Sequence, residues 1–159
     1  MRTFLTIAII AALALPAAAQ EVALAQGDVT QTDAAAVDPL APRDATGLTL
    51  DEFLWVARPI IVFADTPADP RFVEQMELLA ERPGPLLERD VVILYDTDPS
   101  ARSAIRQQLR PRGFTVVIIA KDGSVGLRRP SVRDVRELTR AIDNFQLRQE
   151  ELRGGSGDE

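Results

Sequence analysis

The sequence predicts an α/β fold in which helices cover both faces of a mixed, four-stranded sheet. Short continuous apolar runs, typical of strands buried on both faces, alternate with segments whose apolar residues recur every three or four positions. Asp, Pro or Gly follows each apolar run within a few residues, as expected where strands end and helices begin.

The first residues have the pattern of a secretory signal peptide. Arg2 is followed by an apolar stretch over residues 3–15 and by small residues at 17–19, which predicts cleavage after Ala19. The apolar stretch is shorter than the roughly 20 residues that a membrane-spanning helix needs. We therefore expect residues 1–19 to be removed, and the mature protein to be periplasmic or secreted without membrane insertion.

Two further segments have the composition of disordered chain. Residues 20–47 are rich in Ala, Asp, Gln, Thr and Pro without a sustained period, which predicts a flexible linker. Residues 154–159 read GGSGDE and predict a disordered tail. The folded domain is thereby placed at residues 48–153, a length sufficient for an apolar core that needs no disulfide.

Composition excludes several classes of function. With 24 acidic and 18 basic residues the chain has a net charge of −6, which is unfavourable for binding nucleic acid or an anionic membrane. It contains no cysteine and no histidine, so it lacks a thiolate nucleophile, the usual general base near neutral pH and the commonest transition-metal ligand. No glycine-rich loop introduces a helix. We expect no catalytic residue, no bound metal, no cofactor and no nucleic-acid partner.

The domain is predicted to open with a short helix and a buried strand. Thr49 and Glu52 have the spacing of a capping box, which begins a helix carrying Phe53 and Trp55. Both aromatic side chains are expected to pack in the core, although together they would also suit a binding platform. Residues 60–63 then form a short apolar run that predicts the first core strand.

Each of the first two core strands is followed by an Asp-Pro pair, which is expected to begin a helix. Asp69 can cap a helix whose first residue is Pro70 and whose apolar stripe is Phe72, Val73, Met76, Leu79 and Ala80. The second strand is placed at residues 91–95. Asp98, also followed by proline, is expected to begin a helix that carries Ala101, Ile105 and Leu109.

A hairpin and a closing helix complete the domain. Residues 114–120 and 124–128 predict two strands joined by a tight turn, in which Lys121 is expected to be solvated. Ser131 and Asp134 are expected to cap a last helix with apolar residues recurring as far as Phe145. Two parallel strand–helix–strand steps, a hairpin and a closing helix match a thioredoxin-like three-layer architecture.

Four segments of this domain resemble the family called domain of unknown function 4174. They are residues 50–81, 88–99, 116–129 and 138–153. The resemblance implies a thioredoxin-like fold related to the peroxiredoxins and an exported protein, but no reaction, because no activity is established for the family. Where redox relatives carry cysteine after the first core strand, this sequence has Asp65, Thr66, Pro67, Ala68 and Asp69.

Carboxylates are the candidate ligand-binding groups. Asp65 and Asp69 follow the first core strand, and Asp96 and Asp98 follow the second. The carboxyl ends of neighbouring parallel strands emerge side by side, and open α/β sheets tend to bind ligands there. The four carboxylates would suit a hard cation or a basic partner, whereas Asp69 and Asp98 can instead cap the helices that they precede.

Two hypotheses of function result. The main one is an exported, non-catalytic thioredoxin-like module, without thiol redox activity, that binds a protein or envelope component. The alternative is a carboxylate-based protein that binds a divalent cation or hydrolyses a substrate, using the two strand-end loops. Four arginines recur every three or four residues and are expected to share one face of the last helix, either as a solvated face paired with nearby acids or as a surface for acidic peptides or phosphate. They are Arg129, Arg133, Arg136 and Arg140.

Overall fold

The computed structural model of the chain describes residues 38–154, where one sheet has its strands in the order β1-β3-β2-β4-β5. The strands are β1 (Arg43–Asp44), β2 (Arg58–Phe63), β3 (Val91–Asp96), β4 (Thr115–Ile119) and β5 (Val125–Arg129). β2 is parallel to β3, whereas β4 runs antiparallel to both β2 and β5. This confirms the predicted mixed sheet and the parallel alignment of its first two core strands.

Helices cover both faces of the sheet. They are α1 (Pro70–Glu81), α2 (Gly84–Leu87), α3 (Ala104–Leu109), α4 (Val135–Asp143) and α5 (Gln146–Gly154), together with single 3-10 turns at Leu50–Phe53 and Pro99–Ala101. Alternate strand residues point to opposite faces, so Ile60 packs with Leu79 and Leu138, while Ile61 packs with Phe53 and Ile105. The sheet is therefore the middle layer between two apolar clusters.

Residues 38–47 belong to the folded domain, so this part of the predicted linker is wrong. β1 pairs with the outer edge of β3, and Leu40 and Ala45 are buried. A two-residue edge strand has no periodicity to detect, because backbone hydrogen bonds hold it in place. Residues 1–37, with the predicted signal peptide and the rest of the linker, and residues 155–159 of the predicted tail lie outside the described residues.

Three features of the helices were not predicted. Asp98 caps only the 3-10 turn, and α3 begins anew with Ser103 as its cap, because Arg102 between them has a left-handed backbone with φ of 47°. The Pro-Gly-Pro segment after α1 forms the short helix α2. A further helix, α5, follows the predicted closing helix. No helix in residues 38–154 is long and apolar enough to cross a membrane.

A buried amide joins α1 to the start of α4. The predicted stripe of α1 is only partly right, because Val73 is exposed and Gln75 is buried in its place. Gln75 Nε2 donates to the carbonyl of Arg133 at 3.0 Å, and Gln75 Oε1 accepts from the Arg133 N–H at 2.8 Å. Both polar ends of the amide are thus satisfied, which permits its burial.

A polar cluster closes the amino end of β2 and β3. Arg58 begins β2, is 1% exposed and donates to Glu151 of α5 at 2.6 Å. Lys121 lies 2.8 Å from a carboxylate oxygen of Asp90 and its side chain is only 17% exposed, so the expectation of a solvated Lys121 is wrong. Arg148 also contacts Glu151, at 3.1 Å. These pairs attach α5 and the hairpin to the sheet.

Trp55 lies outside the core, which contradicts the prediction for this residue. Its side chain is 67% exposed, whereas Phe53, two residues earlier, is buried. The helix that begins at the Thr49 capping box ends after a single 3-10 turn, and Trp55 then adopts a left-handed backbone with φ of 61°. Its N–H donates to the carbonyl of Lys121 at 2.7 Å, which holds this conformation.

We expect Trp55→Gly to change the free energy of unfolding by no more than about 1 kcal/mol, because glycine relieves the left-handed backbone while giving up little buried surface. The matched variant Phe53→Ala is expected to cost about 3 kcal/mol or more, as for a buried aromatic side chain. Urea denaturation measures both free energies. It is followed by circular dichroism, because Trp55 is the only tryptophan and its substitution removes the tryptophan fluorescence signal. Equal losses in the two variants would contradict the exposed position of Trp55.

Candidate functional site

The carboxyl ends of β2 and β3 lie side by side, as predicted, with Phe63 opposite Asp96 in the parallel register. All four candidate carboxylates belong to this end of the sheet. Three of them are engaged by neighbouring donors, and the fourth is open to solvent.

Asp96 is held in a buried ion pair. It is 3% exposed, and its Oδ1 accepts from Arg106 Nε at 3.0 Å and Nη2 at 2.8 Å. Its Oδ2 accepts from the Ser103 hydroxyl at 2.6 Å. Arg106 Nη2 also donates to the carbonyls of Ala64 and Asp96, at 2.8 and 2.9 Å. The pair thus joins the ends of β2 and β3 to α3, and Asp96 can accept a cation only if this network is dismantled.

Asp69 and Asp98 serve as helix caps. Asp69 accepts from the Arg71 backbone N–H at 2.9 Å and from Arg71 Nη2 at 2.8 Å, and these hydrogen bonds lower the pKa of its carboxyl group. Asp98 accepts from the hydroxyl and the N–H of Ser100, at 2.6 and 2.8 Å, which lowers its pKa in the same way. The capping role considered for both residues is what the structure shows.

Asp65 is the remaining carboxylate, and it is open to solvent. Its side chain is 65% exposed, with one oxygen 4.0 Å from Arg106 Nη1. The loop before β4 approaches it, since a Cβ on Gly113 would lie 3.7 Å from Asp65 Oδ2. Within the described part of the chain, no group of three or more Asp, Glu, His or Cys side chains is arranged to hold a metal ion. The geometry therefore gives the cation-site hypothesis no support.

A basic pocket of about 470 Å³ lies at the same end of the sheet, where β4 begins and β5 ends. Its lining consists of Arg110, Arg112, Thr115, Arg128 and Pro130. Arg128 Nη1 donates to the carbonyl of Leu109 at 2.7 Å, which fixes this guanidinium beside the C-terminus of α3. In residues 38–154, none of the three arginines has a carboxylate within 4.0 Å. We call this the Arg110–Arg112–Arg128 pocket.

A second basic hollow of about 290 Å³ lies on the other face of β5. Its arginines are Arg129, Arg133 and Arg140, and one acid, Glu137, accompanies them 3.2 Å from Arg133. Three of the four arginines predicted to share a face thus line one hollow. Arg136 instead lines a separate depression together with Asp134 and Glu81. Because Arg129 belongs to β5, the prediction that all four share one face of the last helix is wrong.

The Arg110–Arg112–Arg128 pocket was not predicted from the sequence, although the sequence contains a signal for it. Residues 102–140 contain ten basic and three acidic residues, a net charge of +7 in a chain whose net charge is −6. A charge count over segments would have shown this asymmetry. The whole-chain charge hides it.

Residues 49–151 match the sequence model of a family described as Domain of unknown function (DUF4174). The chain belongs to this family. The match spans all the predicted core elements of the domain and confirms the resemblance drawn from the sequence. Among curated proteins, none is significantly similar in sequence to the chain.

The fold of this DUF4174 domain is thioredoxin-like. The reduced 2-Cys peroxiredoxin of Plasmodium vivax aligns over 64% of this chain and 84% of its own length, with a TM-score of 0.52 and 15% identity. The reduced desulfothioredoxin of Desulfovibrio vulgaris Hildenborough aligns over 67% of this chain and 99% of its own, with a TM-score of 0.47 and 23% identity. The predicted fold class is confirmed, with one edge strand added to the four expected.

Two hydroxyl groups near the strand ends of the DUF4174 domain, those of Ser103 and Thr66, are both engaged in hydrogen bonds. The buried Ser103 hydroxyl accepts from the Arg106 N–H at 3.0 Å and donates to Asp96, a carboxylate that is already paired with the Arg106 guanidinium. The Thr66 oxygen accepts a 3.3 Å hydrogen bond from the Ala68 N–H within its own turn. The exposed charged groups at this end include Asp65, Asp98, Arg71 and the guanidinium groups of the basic pocket.

Proposed function

We propose that this DUF4174 chain is an exported, non-catalytic thioredoxin-like module that binds a protein or an envelope component at the carboxyl end of its sheet. The observation that carries the proposal is the buried Arg106–Asp96–Ser103 network at the strand ends. The polar groups of this network form hydrogen bonds with one another. A thioredoxin-like fold without any cysteine is compatible with a role outside redox chemistry.

Export is supported by the signal-peptide pattern of residues 1–19. Binding at the strand ends is supported by the general preference of open α/β sheets for ligands at that edge. It is supported further by the arginines of the Arg110–Arg112–Arg128 pocket, which have no carboxylate partner within residues 38–154, since arginine is the side chain most suited to anionic recognition.

A photo-crosslinking amino acid placed in cells at Thr66, or at Pro130 in the lining of the basic pocket, tests the binding site, with the exposed position Glu150 of α5 as the matched control. We expect discrete protein or envelope adducts from the first two positions, found on molecules that have lost residues 1–19, and none from the control. The purified protein is expected to show no insulin reduction and no peroxide turnover. Turnover in either assay, or retention of residues 1–19 on the cellular protein, would refute the proposal.

A further inference from the structure

We infer that the partner presents an acidic, extended protein segment, which adds as a strand to the outer edge of β5 and places its carboxylates in the basic hollows on both faces. The inference rests on the binding function proposed above and specifies the chemistry of the partner. Three features of the structure carry it: an unpaired strand edge, arginines on both sides of that edge, and the scarcity of acids among them.

β5 is the last strand of the sheet. Its residues Val125 to Arg129 pair with β4 on one side, and no strand of the described chain pairs with the other side. Four of its five residues are exposed. Such an edge presents backbone N–H and C=O groups to an incoming extended peptide, which gains main-chain hydrogen bonds by continuing the sheet.

Arginines flank this edge on both faces. Arg128 is paired with Val117 and Arg129 with Val116, and these valines belong to the two opposite apolar clusters. Arg128 therefore joins Arg110 and Arg112 on one face, while Arg129 lies on the other with Arg133 and Arg140. In an added strand, successive side chains also alternate between faces, so two adjacent acids would reach both hollows.

The charge of the edge favours an acidic segment over the other occupants. A second copy of the chain paired through β5 would bring Arg128 and Arg129 close to the same arginines of its neighbour, which is repulsive. A free phosphate ion would fill one hollow and leave the strand edge unpaired. A carboxylate accepts two parallel hydrogen bonds from a guanidinium group. Repeated acids on an extended chain can therefore pair with the arginines on both faces of the edge at once.

Fluorescence anisotropy with a labelled decapeptide, in which pairs of glutamate alternate with pairs of threonine, tests the inference. The purified protein is expected to bind this peptide more weakly as salt is raised, and to bind the glutamine version at least about tenfold less tightly. Arg112→Glu and Arg129→Glu are each expected to weaken binding about tenfold or more, since each reverses a charge beside the edge. Arg82→Glu, an equal charge change at the end of α1, is expected to leave binding unchanged.

Backbone pairing is tested by the same peptide with alternate amides N-methylated, which should lose most of its affinity because it cannot extend the sheet. Equal binding of the methylated peptide, equal loss in Arg82→Glu, or binding of polyphosphate with none of the peptide would each overturn the inference. Circular dichroism confirms that each variant is folded. Crosslinks at the strand ends without binding of the peptide would contradict this inference but not the proposed function. Binding of the peptide together with redox turnover would contradict the proposed non-catalytic function but not this inference.

Discussion

Arg106→Leu is expected to destabilise the domain by about 3–5 kcal/mol, because it leaves the carboxylate of Asp96 buried without its counter-charge. Asp96 is 3% exposed, so solvent cannot replace the lost donors. The substitution also removes the hydrogen bonds to the carbonyls of Ala64 and Asp96, which tie β2 to β3. Leucine fills part of the volume of the arginine, so the loss measures chiefly the charge and its hydrogen bonds.

Urea denaturation of Arg106→Leu against the unaltered protein measures this loss, with Asp98→Ala as the control for an exposed carboxylate two residues from Asp96. We expect a much smaller loss in Asp98→Ala, where only the 3-10 cap is removed. The double variant Asp96→Leu with Arg106→Leu should recover part of the stability, because no buried charge remains. A loss in Arg106→Leu no greater than in Asp98→Ala would show that Asp96 is accessible, and would restore it as a candidate for cation binding or hydrolysis.

Arg58→Met is expected to cost about 2–3 kcal/mol and to loosen α5, since Arg58 is the buried attachment point of that helix. Its Nη1 donates to the carbonyl of Arg89 at 2.9 Å, and its Nη2 contacts Glu151 at 2.6 Å. Burial of Glu151 acts to raise its pKa, but the hydrogen bonds from Arg58 and Arg148 outweigh this and keep the pKa below its usual value. The contact therefore contributes stability at neutral pH and loses it as the pH falls through that lowered value.

Amide hydrogen exchange, together with urea denaturation, distinguishes loosening of α5 from global unfolding. In Arg58→Met, protection is expected to fall first in residues 146–154, before it falls in β2 and β3. The matched variant Arg153→Met removes an arginine from the same helix with only a 3.4 Å contact to Gln149, and is expected to change neither measurement. Unchanged protection of α5 in Arg58→Met would show that its attachment lies elsewhere.

The core strands could be predicted because burial on both faces produces a continuous apolar run in the sequence. Residues 60–63 and 91–95 lie in β2 and β3, as expected. β1 could not be predicted, because two residues attached through their backbone bonds have no side-chain pattern. The exposure of Trp55 could not be predicted from the sequence either, because it follows from a left-handed backbone directly after a single helical turn.

The location of the candidate site could be predicted from the sequence. Its chemistry could not, because the sequence indicated a site of free carboxylates and the structure shows arginines without carboxylate partners among residues 38–154. Parallel strands bring Asp65 and Asp96 to one edge whatever their partners are. Whether a carboxylate is free depends on the helix packed beside it, and the guanidinium group that engages Asp96 comes from α3, ten residues further on. The Arg110–Arg112–Arg128 pocket draws on two separate segments, whose proximity only the hairpin of β4 and β5 establishes.

We propose that the carboxyl end of this sheet binds through arginines and the β5 edge, while Asp69, Asp96 and Asp98 stabilise the fold. The most direct test is a map of backbone amide chemical shifts during titration with the glutamate decapeptide and, separately, with Ca²⁺. We predict that the peptide shifts the amides of residues 110–115 and 125–130, and that Ca²⁺ shifts none at the strand ends. Saturable Ca²⁺ shifts at residues 65–69 and 96–98, with no response to the peptide, would contradict the claim.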